Sequence, residues 1–216
     1  MRDRLQSILD LARQKGATYA DVRWVERRNQ PLQMKNGNVE NLATFCDQGF
    51  GVRVIVDGGW GFASTPSAKS EDLAHTVEMA VQIAKASALC KLEGVELAPI
   101  KPVVDSRATT VARDPFAVPM EEKIGLLLRC HEAMKQVPEV KVTQGSITIW
   151  DERKIFASSE GAYIEQKVTE TGASIAAHAR DSQDVQLRSF SNYMNAGYEW
   201  IEEMNLVEKA ATLAKE

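Results

Sequence analysis

Cysteine is scarce in this chain of 216 residues. There are three, Cys46, Cys90 and Cys130, far apart and in no CxxC pair. That excludes a disulfide framework and fits a reducing, cytoplasmic compartment, with the thiols read as small buried hydrophobes. Long apolar runs are absent as well. None approaches the roughly 18–20 residues of a membrane helix, so no membrane association is expected. The opening MRDRLQSILDLARQ carries charges inside its apolar periodicity and is not a signal peptide. Charge of one sign is not concentrated anywhere. The net charge is −4 with acids and bases mixed, which lacks the clustered Lys and Arg of a nucleic-acid footprint, so direct nucleic-acid binding is not expected. The length suits one large domain or two modest ones.

Motifs of catalysis are also missing. Cys130-His131-Glu132 opens like a zinc-peptidase helix, in which two His at i and i+4 hold the metal and the Glu acts as base. The second His would fall at Lys135, or at Gln136 in the longer HExxxH spacing, so both fail. His75 and His178 stand alone. No GxxxxGK(S/T) and no GxSxG occurs, and Ser158-Ser159 has no base nearby in sequence. Glycines 49, 51, 58, 59 and 61 precede strands rather than a helix N-terminus, so a phosphate cradle lacks its physical basis.

What is present centres on Leu32 to Thr65. Asn36-Gly37 and Asp57-Gly58-Gly59 are hairpin signals, because the central residues of a type I′ turn need φ > 0. Gly49 and Gly51 open the run Phe50–Val56, where a Gly-x-Gly pair permits a bulge or a close backbone approach. Upstream, Leu5, Ile8, Leu9 and Ala12 mark a helix from Arg2 to Lys15. Strands are expected at Tyr19–Arg27, Leu32–Lys35, Val39–Cys46 and Trp60–Thr65, with Pro31 allowing only a sheet-edge start for the second. Ser70 caps a helix to about Leu89 whose alanines predict close packing on the sheet.

Residues 94–118, with Pro99, Pro102 and Pro115, read as an extended connector holding a strand near Val103–Val111. A helix starts at Pro119, with Ile124, Leu127, Leu128, His131 and Met134 on one face. Strands follow at Val140–Trp150, Lys154–Ser158, Ala162–Glu170, Ser174–Arg180 and Gln186–Ser191, with a turn at Asp151-Glu152. A last helix spans Glu199–Lys215. The class is α+β, a helix–antiparallel sheet–helix unit that the matching element order predicts to be duplicated. Gly37 with Gly161, and Gly49 with Gly172, recur at nearly equal spacing. The expected division is a first subdomain at 1–93, the connector at 94–118 and a second subdomain at 119–216.

Two single residues stand out. Arg53 projects from the face opposite to Val52 and Val54, either to bind a carboxylate or as an exposed strand arginine. Trp60, after Gly-Gly, lines a cleft or fills the core at a strand start. Neither is catalytic, and no residue is expected to ligate a metal.

The segments GATYADVRWVERR (16–28), KNGNVE (35–40), DQGFGVRVIVDGGWGFAST (47–65) and the helix at 70–87 resemble the TldD/PmbA proteins, once called modulators of DNA gyrase and now regarded as metallopeptidases. Trp60 and Glu26-Arg27-Arg28 resemble the TldD branch. The resemblance covers most of residues 5–90, and residues 119–216 follow in element order. It implies a zinc-dependent peptidase acting on unfolded or small peptides, and pairing with a PmbA-like subunit or with itself. In the family the TldD-type subunit carries an HExxxH helix, which no residue here matches. The expectation is therefore the N-terminal region of a longer protein, ending inside a helix, with the catalytic C-terminal domain absent, no cofactor in this chain, and zinc in the full-length protein. The alternative expectation is a non-catalytic module that binds a partner protein, of the gyrase-modulator type.

Overall fold

Two tight turns shape the strands of the N-terminal half. Asn36 and Gly37 take φ of 50° and 76°, and Asp57 and Gly58 take 50° and 72°. Both central residues of each turn thus lie in the left-handed region, where Asn, Asp and Gly are the tolerant types. In the computed structural model, which describes residues 1–90 and 92–216, the elements run as follows. Helix α1 (Arg2–Gln14) leads into β1 (Tyr19–Lys35), β2 (Asn38–Leu42), β3 (Phe45–Val56), β4 (Gly59–Thr65) and α2 (Ser70–Cys90). Then come β5 (Val104–Ala108), α3 (Met120–Met134), β6 (Val140–Ser158), β7 (Tyr163–Arg180), β8 (Val185–Met194), α4 (Glu199–Glu203) and α5 (Leu206–Leu213). The strands are bonded in the order β4-β3-β1-β6-β7-β5, with β2 on β1 and β8 on β7. The class is α+β, with an antiparallel sheet flanked by helices. Among the described residues no helix is long and apolar enough to cross a membrane, which says nothing of a β-barrel.

Contacts divide the chain into two compact units. The first takes residues 1–27, 47–107 and 152–167, and the second takes 28–46, 108–151 and 168–216. In the first, Leu5, Ile8 and Leu9 of α1 and Val77, Ala80 and Ala84 of α2 pack on Val22 and Trp24 of β1, Val52 and Val54 of β3, and Ile155 of β6. Alternation then places Tyr19, Asp21, Arg23 and Arg53 on the opposite sheet face, away from both helices. In the second unit, Leu127, Cys130 and Met134 of α3 and Ile201, Leu206 and Ala210 of α4 and α5 cover Leu32, Ile147, Ile149, Ala173 and Ile175.

Several elements differ from the sequence expectation. Pro31 lies inside β1, directly before the β1–β2 ladder begins at Leu32↔Leu42. Its fixed φ suits an extended chain, so the strand does not break there. The charged Asp151-Glu152 makes no turn, because both carboxylates have partners. Thr169 Oγ1 donates to Asp151 Oδ1 at 2.7 Å, and Arg27 Nε donates to Glu152 Oε2 at 2.7 Å. The expected strands on either side of residues 171–173 likewise form one strand, β7. There Gly172 faces Tyr193 across the β7–β8 pair, with the Tyr193 ring lying over it. The last helix splits at Asn205, which adopts left-handed φ of 50°. The buried face of α3 is Lys123, Leu127, Cys130 and Met134, so Leu127 and Met134 of the expected stripe are buried while Leu128 is exposed. Of the cysteines only Cys130 is buried; Cys46 and Cys90 are exposed.

Candidate functional site

The helix-free face of the first unit gathers the polar and aromatic groups. Alternation along β1 presents Tyr19, Asp21, Arg23, Val25 and Arg27 there, beside Arg53 of β3 and Trp60 and Phe62 of β4. Arg53 pairs with Phe62 and Ile55 with Trp60 in the β3–β4 register, so Arg53 and Trp60 are diagonal neighbours.

Asp21 is fully buried at the centre. Arg53 donates from Nε to Asp21 Oδ2 at 2.8 Å, and its Nη2 lies 2.7 Å from the same oxygen. The Tyr19 hydroxyl donates to Oδ2 at 3.0 Å. Arg23 Nη1 forms an ion pair with Oδ1 at 3.1 Å. The Arg53 guanidinium sits 4.7 Å from the Trp60 ring centroid, and Tyr19 meets Trp60 edge-on at 5.9 Å. Burial, and then the charge of Asp21, push the Tyr19 phenol up to about 12. For Arg53 burial works against the charge, but the bonds to Asp21 and Tyr19 outweigh it and hold the guanidinium above its ordinary value. The arrangement holds a guanidinium over an indole and keeps it charged.

Beside this cluster lies an open cleft of about 500 Å³ between residues of β1, β3 and β4. Its charged lining residues are Arg23, Arg27 and Asp47, with Phe62 as an apolar wall and Ser64 and Thr65 at the β4 side. Gly49 and Gly51 lie inside β3 and line the same cleft. A Cβ on Gly51 would come within 3.1 Å of the Phe62 ring, so the glycine leaves room for that ring. Gly59 opens β4 beyond the Asp57-Gly58 turn. Asn36 and Gly37 belong to the second unit. There Asn36 Oδ1 accepts from Thr143 N at 2.9 Å, and His131 Nδ1 lies 2.6 Å from Thr143 Oγ1. His131 therefore braces a hairpin. Asp21, Arg23 and Phe62 carry no sequence expectation as site residues, and Arg27 enters there only within the Glu26-Arg27-Arg28 resemblance. The period-two alternation of Tyr19, Asp21, Arg23 and Arg27 with the buried Ala20, Val22 and Trp24 carries that signal.

The second unit holds a larger cavity of about 600 Å³ between α3 and the last two helices, lined mainly by apolar residues such as Leu126, Ile201 and Leu206. Tyr198 also lines it, and its buried hydroxyl has no hydrogen-bond partner among the described residues.

The resemblance implies a zinc ion, which needs convergent donor side chains. Among the described residues no three His, Cys, Asp or Glu side chains converge. His75 is exposed on α2, His131 is bonded to Thr143, and His178 Nε2 faces Gln144 Oε1 at 3.4 Å. This donor set does not fit a zinc site.

Residues 20–84 match the family domain described as PmbA/TldA metallopeptidase domain 1, and residues 113–216 match the PmbA/TldA metallopeptidase central domain. The chain is 29% identical over 190 residues to a metalloprotease of Methanothermobacter thermautotrophicus, covering 88% of this chain and 40% of that protein. It is 26% identical over 201 residues to a metalloprotease of Synechocystis, covering 92% and 42% respectively. It thus spans about two fifths of the length of these relatives. In fold it is similar to a Thermotoga maritima protein described as a candidate modulator of a DNA gyrase, with a TM-score of 0.76 at 18% identity over 100% of this chain and 47% of that one. It is similar also to TldE from Thermococcus kodakarensis, with a TM-score of 0.67 at 14% identity over 98% and 47%.

Proposed function

Because this chain belongs to the PmbA/TldD metallopeptidase family, we propose that it forms the substrate-side frame of a zinc metallopeptidase that degrades or processes unfolded or small peptides. The observation that carries this reading is the helix-free face, where Arg53 and Trp60 stand beside the cleft. Strand β4 ends the strand order, and its Phe62, Ser64 and Thr65 line that cleft. An extended peptide adds to the outer edge of β4 by main-chain hydrogen bonds and lays alternate side chains on the face. This chain contributes no catalytic residue, and the zinc and general base come from other parts of the whole protein. The assembly pairs with a PmbA-like subunit or a second copy, in the cytoplasm.

The test is a metal analysis and a peptide-cleavage assay on the 216-residue chain alone. Both are expected to be negative. Tight zinc at one equivalent, or cleavage abolished by a chelator, sinks the proposal. Native mass spectrometry of the whole assembly reads the partner.

A further inference from the structure

We infer that the cleft between β1, β3 and β4 takes a carboxylate of the bound peptide, held by the guanidinium groups of Arg23 and Arg27. The inference rests on the peptide-handling reading above and names the chemistry it selects. Among the described residues the two arginines are the only cations lining the cleft, against the single carboxylate of Asp47. Each is oriented by an acid that leaves part of its fork unused. Arg23 is drawn by an ion pair from Nη1 to Oδ1 of the buried Asp21, an oxygen that accepts no hydrogen bond among the described residues, and its guanidinium lies 5.1 Å over the Phe156 ring. Arg27 is fixed at Nε by Glu152, whose side chain is only 11% exposed. The charge of Asp47 also acts on this guanidinium, but among the described residues only its Nε makes a hydrogen bond. The two side chains remain 42% and 52% exposed and both line the cleft.

A guanidinium held at one edge by a fixed carboxylate presents its remaining donors at little entropic cost, and the planar fork matches a second carboxylate. Phe62, 53% exposed and positioned over Gly51, supplies an apolar wall for the neighbouring side chain. The volume of about 500 Å³ suits a few peptide residues, within the usual range of roughly 300–1,000 Å³ for such sites. Arg53 is not the recognising group, because Asp21 already occupies its Nε and Nη2.

The carboxylate comes either from an acidic side chain or from the peptide C-terminus, and three peptides of one apolar sequence separate these sources. One carries Glu and an amidated end, one carries Gln and a free C-terminal carboxylate, and one carries Gln and an amidated end. Isothermal titration calorimetry on the intact chain should give at least about tenfold tighter binding for one of the first two than for the neutral peptide. Arg27→Gln should bring that peptide to the neutral level, and Arg27→Lys, which keeps the charge but not the fork, should recover part of the loss. Lys101→Gln, an exposed position outside the cleft, should change nothing. Equal binding of all three peptides overturns the carboxylate inference while leaving peptide binding intact. Binding by none overturns it too, and the metal and cleavage assays then decide the peptidase reading separately. Loss of preference in Lys101→Gln equal to that in Arg27→Gln also overturns it.

Discussion

Asp21 is the residue on which the helix-free face depends. It is fully buried, yet it orients two arginines and a tyrosine. Asp21→Ala leaves Arg53 and Arg23 without their anchor. A fully buried pair broken on one side costs about 3–5 kcal/mol. Here both arginines reach solvent, so about 2 kcal/mol is expected, read as a lowered urea midpoint. An unchanged midpoint would show that the cluster is decorative. Lys123 is the second informative residue. It is buried on α3 and donates to Gln30 Oε1 at 2.6 Å and to the Pro115 carbonyl at 2.7 Å, with no carboxylate in contact among the described residues. Burial pushes its ammonium down to about 8, helped by Arg28 and opposed by Asp114 and Glu122. Unfolded, the amine titrates near its ordinary value of about 10.4. Between these values the unfolded chain binds the proton and the folded chain does not, so stability rises with pH across that window. Relative to Lys123→Met, the native chain should gain on the order of 2–3 kcal/mol between about pH 7 and about pH 10. A difference that stays flat with pH in denaturant titrations rules this out.

At the scale of elements, the pairing of α2 with β4 is the tightest feature of the first unit. A Cβ built on Gly61 would overlap the Ala80 carbonyl oxygen, and one on Gly59 would overlap that of Ala84. Backbone cannot yield there as a flexible side chain does. Gly61→Ala should therefore cost about 3 kcal/mol or more by forcing the helix off the strand. At Gly49 the nearest atom is the Thr65 carbonyl oxygen at 3.5 Å, so Gly49→Ala should stay within about 1 kcal/mol. Equal losses in the two variants contradict this packing account. The alanines of α2 announced that contact in the sequence, and Asn36-Gly37 and Asp57-Gly58 announced their turns, because these features depend on local chemistry. The long strands were less legible. Asp151-Glu152 looks like a turn until Thr169 and Arg27 are brought beside it, and those partners are distant in sequence. The buried face of α3 departs from the expected stripe for a similar reason. A lysine at the buried position 123 breaks an apolar stripe, and only Gln30 and Pro115, supplied by the fold, make it tolerable. In the candidate site, Arg53 and Trp60 were visible as single residues. Their shared anchor was not, because an acidic residue in a strand reads as solvent-facing.

For the whole molecule, the course of the chain matters more than its composition. A boundary near residue 93 follows the prolines of the connector, whereas each compact unit takes segments from both sides of it. The first core includes Ile155 and Ala157 of β6, with the partly buried Tyr163 of β7 packed against it. In the strand order β1 lies between β3 and β6. Ser159, just after β6, accepts the Ala20 amide at its Oγ with a distance of 3.0 Å, and its carbonyl accepts from Arg13 of α1. A fragment of residues 1–93 therefore keeps β3 but lacks β6 on the other side of β1, and it uncovers Trp24 and Val22. Removing Ile155 and its neighbours forfeits about 1.5–3 kcal/mol for each large apolar side chain. It also uncovers their partners, against a total stability of roughly 5–15 kcal/mol for a domain of this kind. The fragment should show no cooperative transition in urea by far-ultraviolet circular dichroism, while the 216-residue chain unfolds cooperatively. A sigmoidal transition for the fragment, with a midpoint near that of the whole chain, would mean that the segments from β6 and β7 add little to the first core.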